Sequence, residues 1–308
     1  METYDVVVVG SGTSGQTAAF RLKEKGLNVA VIEKTDRPGG ICALAGCQPK
    51  KWFYEATEAV VRARHLEGKG IVSAPEGDWA QVLKQKRQFT SGIPEGTIKN
   101  LQEAGIDFVS GEAAFLNKET LSVNAKQIQA KFFILATGAK PMQLPIEGKE
   151  HVITSDDFLD LDALPPAICF IGGGFISFEF AHFLTRIGPE NRSITLLEVS
   201  DRPLALFDRE MVDLLLKASA EDGIDIRSNT RITAIDKKGA GFVVRTDAGQ
   251  VFEADLVVNG AGRMPAIGHL NLEKIGIDAT SRGIRVNDRL QTTLPHIFAV
   301  GDCAATPA

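Results

Sequence analysis

The stretch Asp5-Val6-Val7-Val8-Val9-Gly10-Ser11-Gly12-Thr13-Ser14-Gly15 feeds a β-branched run into a turn with three glycines. Such a run bounded by glycine reads as a buried strand. A helical pattern follows over Gln16 to Lys25, and Val29-Ala30-Val31-Ile32-Glu33 forms a second strand closed by an acid. The same order of features recurs as Ile168-Cys169-Phe170-Ile171-Gly172-Gly173-Gly174-Phe175-Ile176-Ser177, a helix over Phe178 to Arg186, and Ile194-Thr195-Leu196-Leu197-Glu198. From first glycine to acid the spacing is 23 residues in one copy and 26 in the other. A dinucleotide pyrophosphate needs backbone N–H groups at a helix N-terminus. Gly10 and Gly12, like Gly172 and Gly174, remove the Cβ atoms that would block its approach, and Gly15 lets helix and strand pack closely. The carboxylate of Glu33 or Glu198 then accepts from ribose hydroxyls. One glycine turn alone also fits other α/β folds. Two complete β-turn-α-β-acid units predict an α/β chain with two Rossmann-like dinucleotide-binding domains. The second unit carries Ser177 where the first has Gly15, so its helix is expected to pack a little further from its strand.

The 308 residues are enough for two domains. With 34 Lys and Arg against 39 Asp and Glu, the net charge of −5 excludes a nucleic-acid binder that works through a basic field. No run of 18 apolar residues is present, so no membrane-spanning helix is expected. Val6 to Val9 is too short for a secretory leader and has no cationic segment before it, which points to a cytosolic location. Four cysteines do not make a disulfide framework in a chain of this size; a close pair is more often catalytic or metal-binding. The 30 glycines exceed the usual ~7% of residues and are clustered in the turns described here.

Three further segments join the two units. Phe132-Phe133-Ile134-Leu135-Ala136-Thr137-Gly138-Ala139-Lys140-Pro141 reads as a buried strand closing in a Thr-Gly turn. A matching strand and turn recurs at Leu256-Val257-Val258-Asn259-Gly260-Ala261-Gly262-Arg263-Met264-Pro265, and His296-Ile297-Phe298-Ala299-Val300-Gly301-Asp302 is a strand ending in Gly-Asp. With these in place the chain resembles the flavin- and nicotinamide-dependent disulfide reductases from Tyr4 to its last residues. The resemblance implies that the first unit binds FAD and the second binds NAD(P)H. By motif position FAD would be held by Gly10, Gly12, Ser14, Gly15, Glu33, Lys34, Gly40, Thr137, Gly138, Gly301 and Asp302, with the Asp302 carboxylate on the flavin ribitol. NAD(P)H would be held by Gly172, Gly174, Phe175, Ile176, Glu198, Gly262 and Arg263, with Phe175 capping the nicotinamide pocket; a core aromatic is the alternative for Phe175. The flavin domain would be discontinuous, 1–146 and 269–308, with the nicotinamide domain, 147–268, inserted in it.

The segment Gly39-Gly40-Ile41-Cys42-Ala43-Leu44-Ala45-Gly46-Cys47-Gln48-Pro49-Lys50-Lys51 resembles the redox-active motif of that family. On an ideal helix, residues five apart have Cα atoms roughly 8–9 Å apart, beyond the about 7 Å that a disulfide tolerates. If Cys42 and Cys47 bond, the turn is distorted, which Gly46 permits, and the bond is readily reduced. A zinc site would need two further ligands, and two unbonded packing thiols remain an alternative. Ile41 stands where the family usually has Thr, and Leu44 where it has Asn; both changes remove hydrogen-bonding groups beside the thiols. By position, Cys47 exchanges electrons with the flavin and Cys42 attacks the substrate. Lys51 or Lys50 would sit near the flavin N5 edge and pair with Glu179, stabilising the reduced, anionic flavin by Coulomb attraction; a solvated helix acid is the alternative for Glu179.

A 2′-phosphate calls for arginines and a 2′-hydroxyl for an acid. Glu198 is followed by Val199-Ser200-Asp201 before Arg202, which favours NADH. The expected partner is a small-molecule substrate: lipoamide, a glutathione-type disulfide or mercuric ion. FAD-dependent quinone or diaphorase chemistry and a non-catalytic redox module are the competing classes. In the family the acid–base histidine comes from a C-terminal interface domain of the other subunit. None of His65, His151, His182, His269 and His296 lies in a matching context, and the sequence after Asp302 is short. A homodimer is therefore expected of a full-length member, and weak FAD binding, poor dimerisation and slow turnover of a chain of this length.

Overall fold

Val6 to Val9 are all buried, as a strand covered on both faces requires, and they form the second half of β1 (Glu2–Val9). The computed structural model describes residues 2–306. After β1 come α1 (Thr13–Lys23), β2 (Val29–Glu33), α2 (Gly40–Leu44), α3 (Cys47–Leu66), α4 (Trp79–Ser91) and α5 (Ile93–Glu103). Strands β3 (Asp107–Ser110), β4 (Ala113–Asn117), β5 (Thr120–Val123), β6 (Lys126–Leu135) and β7 (Ala139–Pro141) follow. Next are β8 (Ile153–Thr154), α6 (Ser155–Phe158), β9 (Ala167–Ile171), α7 (Phe175–Ile187), β10 (Ser193–Leu197), α8 (Arg209–Glu221) and β11 (Ile224–Arg227). An antiparallel set, β12 (Ile232–Lys238), β13 (Gly241–Thr246) and β14 (Val251–Ala254), leads into β15 (Leu256–Asn259). The remaining elements are β16 (Arg263–Pro265), α9 (Leu272–Ile275), β17 (Ala279–Thr280), β18 (Gly283–Ile284) and β19 (Ile297–Ala299).

The chain divides into two compact units. The first takes residues up to 48, 88–140 and those from 263 onward. Its seven-stranded sheet runs β3-β2-β1-β6-β5-β4, with β19 also paired to β6. Strand β1 is parallel to both neighbours, with Val6 opposite Val29 on one side and Phe132 on the other. The ten-residue β6 is shared along its length, pairing with β5 through Lys126 to Gln129 and with β19 through Phe133 to Leu135.

The second unit takes residues 49–87 and 141–262. Its parallel sheet runs β11-β10-β9-β15-β8, repeating the β3-β2-β1-β6 order of the first. Residues 49–87 join this unit because Phe53, Val60, Trp79 and Leu83 close a core with Phe158, Phe170, Phe180 and Phe183. Phe158 stacks on Phe180 at 4.5 Å between centroids, and Phe53 lies 4.5 Å from Trp79. This core is the strongest reason for the grouping, since aromatic side chains bury the most apolar surface.

Both signature helices begin a turn earlier than their periodicity suggests, at Thr13 and Phe175, because Gly12 and Gly174 are extended N-caps that let the helix start at once. Ser177 does not force its helix outward: it is fully buried, and a Cβ on Gly260 would lie 1.9 Å from its Oγ. In the first unit the matching position opposite Gly15 is Ala136, whose Cβ would stand 3.4 Å from an added one. The pair is Gly15 with Ala136 in one unit and Ser177 with Gly260 in the other, so each crossing holds one glycine. Among the described residues no helix is long and apolar enough to cross a membrane.

Candidate functional site

Gly10 has φ +112°, and a Cβ there would stand 2.2 Å from the Ala136 carbonyl oxygen; a Cβ on Gly15 would stand 2.0 Å from the Gly10 oxygen. These two glycines let β1, β6 and α1 meet. Gly12 is the N-cap of α1 and no side chain caps that helix, so its first N–H groups have no side-chain partner. Gly40, at φ +78°, lies over it: a Cβ on Gly40 would be 2.5 Å from Gly12 Cα. The Gly301-Asp302 turn sits against the same helix start, since a Cβ on Gly301 would be 2.6 Å from Ser14 Oγ. Thr137 Oγ1 is buried and has no partner except the Cys303 thiol, and Gly138, at φ +67°, accepts from Ala266 N–H at 2.9 Å. Lys34 Nζ is 3.7 Å from Glu112. An uncapped helix N-terminus bordered by glycine backbone, with a carboxylate on the neighbouring turn, fits the phosphates and ribitol of a flavin dinucleotide.

Glu33 holds this turn in place. Its Oε2 accepts from Ser11 N at 2.9 Å and Ser11 Oγ at 2.7 Å, and its Oε1 from Thr35 N and Oγ1 at 2.9 Å each. Burial pushes the carboxyl upward, but the bonds from Ser11 and Thr35 outweigh it and leave the pKa below the ordinary value. Ser11 Oγ also accepts from Gly39 N–H at 3.1 Å, which ties the acid to the start of α2. The sequence reading missed Ser11 and Thr35, although their offsets, one after the first glycine and two after the acid, recur in the second unit.

There Glu198 accepts from Gly173 N at 2.5 Å and Ser200 N at 2.7 Å. Each oxygen takes one bond and keeps a second lone pair for a ribose hydroxyl. Gly172, at φ +98°, lets the turn pass Ala261, whose Cα would be 2.5 Å from an added Cβ. Gly173 is a glycine because Pro203 and Glu198 close over it, at 2.7 and 2.8 Å from a Cβ placed there. Gly174 caps α7 without a side chain, the same arrangement as Gly12, and fits a second pyrophosphate. Ile176 packs against the aromatic core. Arg202 donates to the carbonyls of Ala205 at 2.7 Å and Phe207 at 3.3 Å, so its guanidinium is spent on its own loop. Gly262, at φ +109°, accepts from Met142 N–H at 3.0 Å, and Arg263 Nη2 donates to the Ala139 carbonyl at 2.9 Å within the first unit.

The two cysteines flank a helix break. α2 ends at Leu44, Ala45 leaves helical geometry at φ −142° and ψ 3°, and Cys47 opens α3. Gly46 is needed less for backbone freedom than for space: a Cβ would be 3.0 Å from the Ile41 carbonyl oxygen. Both thiols are free, Cys42 half-buried and Cys47 exposed. Burial and the adjoining Cys47 thiol hold the Cys42 thiol above its ordinary pKa, outweighing the Thr13 hydroxyl and the Cys47 N–H, which pull it down. Ile41 is 39% exposed beside the thiols, while Leu44 is buried. Thr13, at the first position of α1, is a neighbour of Cys42 that motif reading did not single out.

On the second unit Lys50, and not Lys51, reaches Glu179: Nζ to Oε2 is 2.5 Å. Lys50 Nζ also lies 5.4 Å from the centroid of Phe175, a cation–π distance. Phe175 is 52% exposed and so is not a core aromatic. Lys51 is exposed.

A family model described as pyridine nucleotide-disulphide oxidoreductase matches residues 4–308. The chain is 30% identical to dihydrolipoyl dehydrogenase of Bacillus subtilis, over 96% of its own length and 66% of that protein's. It is 31% identical to mercuric reductase of Staphylococcus aureus, over 99% and 56%. Among solved structures, the HOCl-induced flavoprotein disulfide reductase RclA of Escherichia coli superposes with a TM-score of 0.85 at 28% identity, over 97% of this chain and 66% of that one. The chain thus spans about two thirds or less of the length of these relatives. Members of the family use FAD and NAD(P)H. Paired glycine turns, their acids and the cysteine loop agree with the sequence match, and the chain belongs to the pyridine nucleotide-disulphide oxidoreductase family.

Proposed function

We propose that this protein passes two electrons from NAD(P)H through FAD to the Cys42–Cys47 pair, and from there to a disulfide of the lipoamide or glutathione type or to mercuric ion. The observation that carries the reading is the pair of free thiols in contact across the break between α2 and α3, with Cys47 opening the helix that bears Lys50. FAD-binding residues would come from 1–146 and 269–308, and NAD(P)H-binding residues from 147–268. When bound, FAD supplies the chemistry that links hydride donation by the nicotinamide to two-electron reduction of a disulfide.

The chain's own groups account for the rest. The first-turn N–H groups of α1 and α7 hold the pyrophosphates, and Asp302 and Glu198 accept from ribitol and ribose hydroxyls. Lys50, oriented by Glu179, would supply the positive charge that stabilises a reduced, anionic flavin. Two electrons and two protons convert the Cys42–Cys47 disulfide to a dithiol. The Cys42 thiolate then attacks one sulfur of the substrate disulfide, forming a mixed disulfide and releasing the first thiol. Cys47 attacks Cys42 Sγ, which restores the Cys42–Cys47 bond and releases the second. The Thr13 hydroxyl, by donating to the Cys42 thiolate, offsets part of the rise that burial and the Cys47 thiol impose on it.

Anaerobic addition of one equivalent of NADH to the purified flavoprotein tests the reading. A long-wavelength absorbance band, from a thiolate beside the flavin, should appear and be absent in Cys47→Ser. Flavin bleaching with no such band in the parent protein would leave simple flavin chemistry, with the cysteines incidental, as the better account.

A further inference from the structure

Helices α3 and α7 run parallel, and three side-chain pairs join them like rungs. Lys50 meets Glu179 at 2.5 Å, Phe53 stacks on Phe183 at 6.0 Å between centroids, and Glu58 Oε1 meets Arg186 Nη1 at 2.5 Å. The first and last rungs are 8 residues apart on α3 and 7 on α7, roughly 11–12 Å of helix rise. The far rung is the more enclosed of the two, with side-chain exposures of 23% for Glu58 and 20% for Arg186, against 22% for Lys50 and 40% for Glu179. It is also braced: Arg64 Nη2 donates to the Arg186 carbonyl at 3.1 Å, and Arg62 Nε lies 3.8 Å from the other Glu58 oxygen.

A lysine ammonium on four methylenes makes a contact with little directional control, whereas a guanidinium has a planar, directional fork. The buried apolar contacts of Phe53 and Val60 with α7 hold the two helices together but are non-directional, and one flexible ion pair adds little control of their exact register. A second polar pair two turns away, with an aromatic stack between, adds that control. The Glu58–Arg186 pair makes no contact with Lys50 itself but can restrict where the start of α3 lies on α7.

We propose that Glu58 and Arg186 are positioning residues: they lock the register of α3 against α7 so that Lys50 is held on Glu179 and over the Phe175 ring. The functional weight of this lock rests on the reading that Lys50 serves the redox reaction, but the lock can be tested without cofactor turnover. In brief acetylation of the native protein followed by peptide mass spectrometry, Lys50 should be protected relative to Lys51. Glu58→Gln and Arg186→Gln should each raise the Lys50 rate by about fivefold, the equivalent of losing one modest polar contact, with Lys51 unchanged. Arg186→Lys should recover part of the protection, and the exchange of charges in Glu58→Arg/Arg186→Glu should recover it where a single change that unfolded the unit could not be read.

In the same variants, stopped-flow reduction of bound flavin by NADH should slow with no change in the NADH concentration for half-maximal rate. Folded variants in which Lys50 and Lys51 keep their parental ratio would overturn the proposal. A raised Lys50 rate with normal flavin reduction would keep the register lock and remove its link to the redox reading.

Discussion

A 2′-phosphate brings about two negative charges to the position where a 2′-hydroxyl brings none. The Glu198 carboxylate, proposed to accept from the ribose, sits at the second glycine turn with each oxygen bonded once, to Gly173 N or Ser200 N. The nearest arginine in sequence, Arg202, already bonds the Ala205 and Phe207 carbonyls. Phosphate would therefore meet a carboxylate, with Arg202 engaged elsewhere, while a hydroxyl finds an acceptor. The kcat/KM for NADH should exceed that for NADPH by about tenfold or more, the worth of one hydrogen bond to a charged group. Glu198→Arg should narrow the gap; equal use of both nucleotides by the parent protein would refute the assignment. At this scale the sequence identified residue types and left their pairing open. It could not choose between Lys50 and Lys51, because the choice depends on the phase of α3 against α7. It did not show Ser11 as a partner of Glu33, because that bond crosses from one loop to another, nor Thr35, whose bond two residues on depends on the rotamer of Glu33.

At the scale of elements, the two nucleotide units solve one packing problem in opposite ways. A helix crossing two strands closely leaves room for one small side chain and one glycine: Gly15 against Ala136, or Ser177 against Gly260. Gly260→Ala should thus destabilise the protein by about 1–3 kcal/mol, the usual cost of an overpacked site. Adding Ser177→Gly should restore most of it by recreating the first unit's pair, read as coupling in a double-mutant cycle of thermal or urea unfolding. Additive effects would mean that the two residues do not share the space. Strand and helix existence was legible from β-branched runs and glycines, and β2 has the expected bounds at Val29–Glu33. The helix starts were not, because Gly12 and Gly174 act as extended caps and not as members of the preceding turn. A distorted turn between the cysteines was expected only if they bond, and the break between α2 and α3 is present with both thiols free; that a Cβ on Gly46 would crowd the Ile41 carbonyl needed coordinates.

For the molecule as a whole, each unit has its own sheet, core and glycine turn, so their nucleotide sites should fail separately. Gly10→Ala puts a Cβ at φ +112° and 2.2 Å from the Ala136 oxygen, and Gly172→Ala puts one at φ +98° and 2.5 Å from Ala261 Cα. Either forces a local backbone change costing about 1–3 kcal/mol. Gly10→Ala should lower the flavin absorbance of the purified protein while NADH binding, followed by nucleotide fluorescence, persists; Gly172→Ala should do the reverse. Loss of both activities from either change would show that the units do not bind independently. The sequence by itself determined that there are two dinucleotide folds and a cysteine pair ahead of a lysine helix, since glycine spacing, strand runs and terminal acids are local requirements of backbone geometry. Only the tertiary structure decided that residues 49–87 pack with the second unit, that Lys50 is the lysine held by Glu179, and that Gly260 makes room for Ser177. Those outcomes come from side chains far apart in sequence filling one shared space, and no local pattern records which of them will meet.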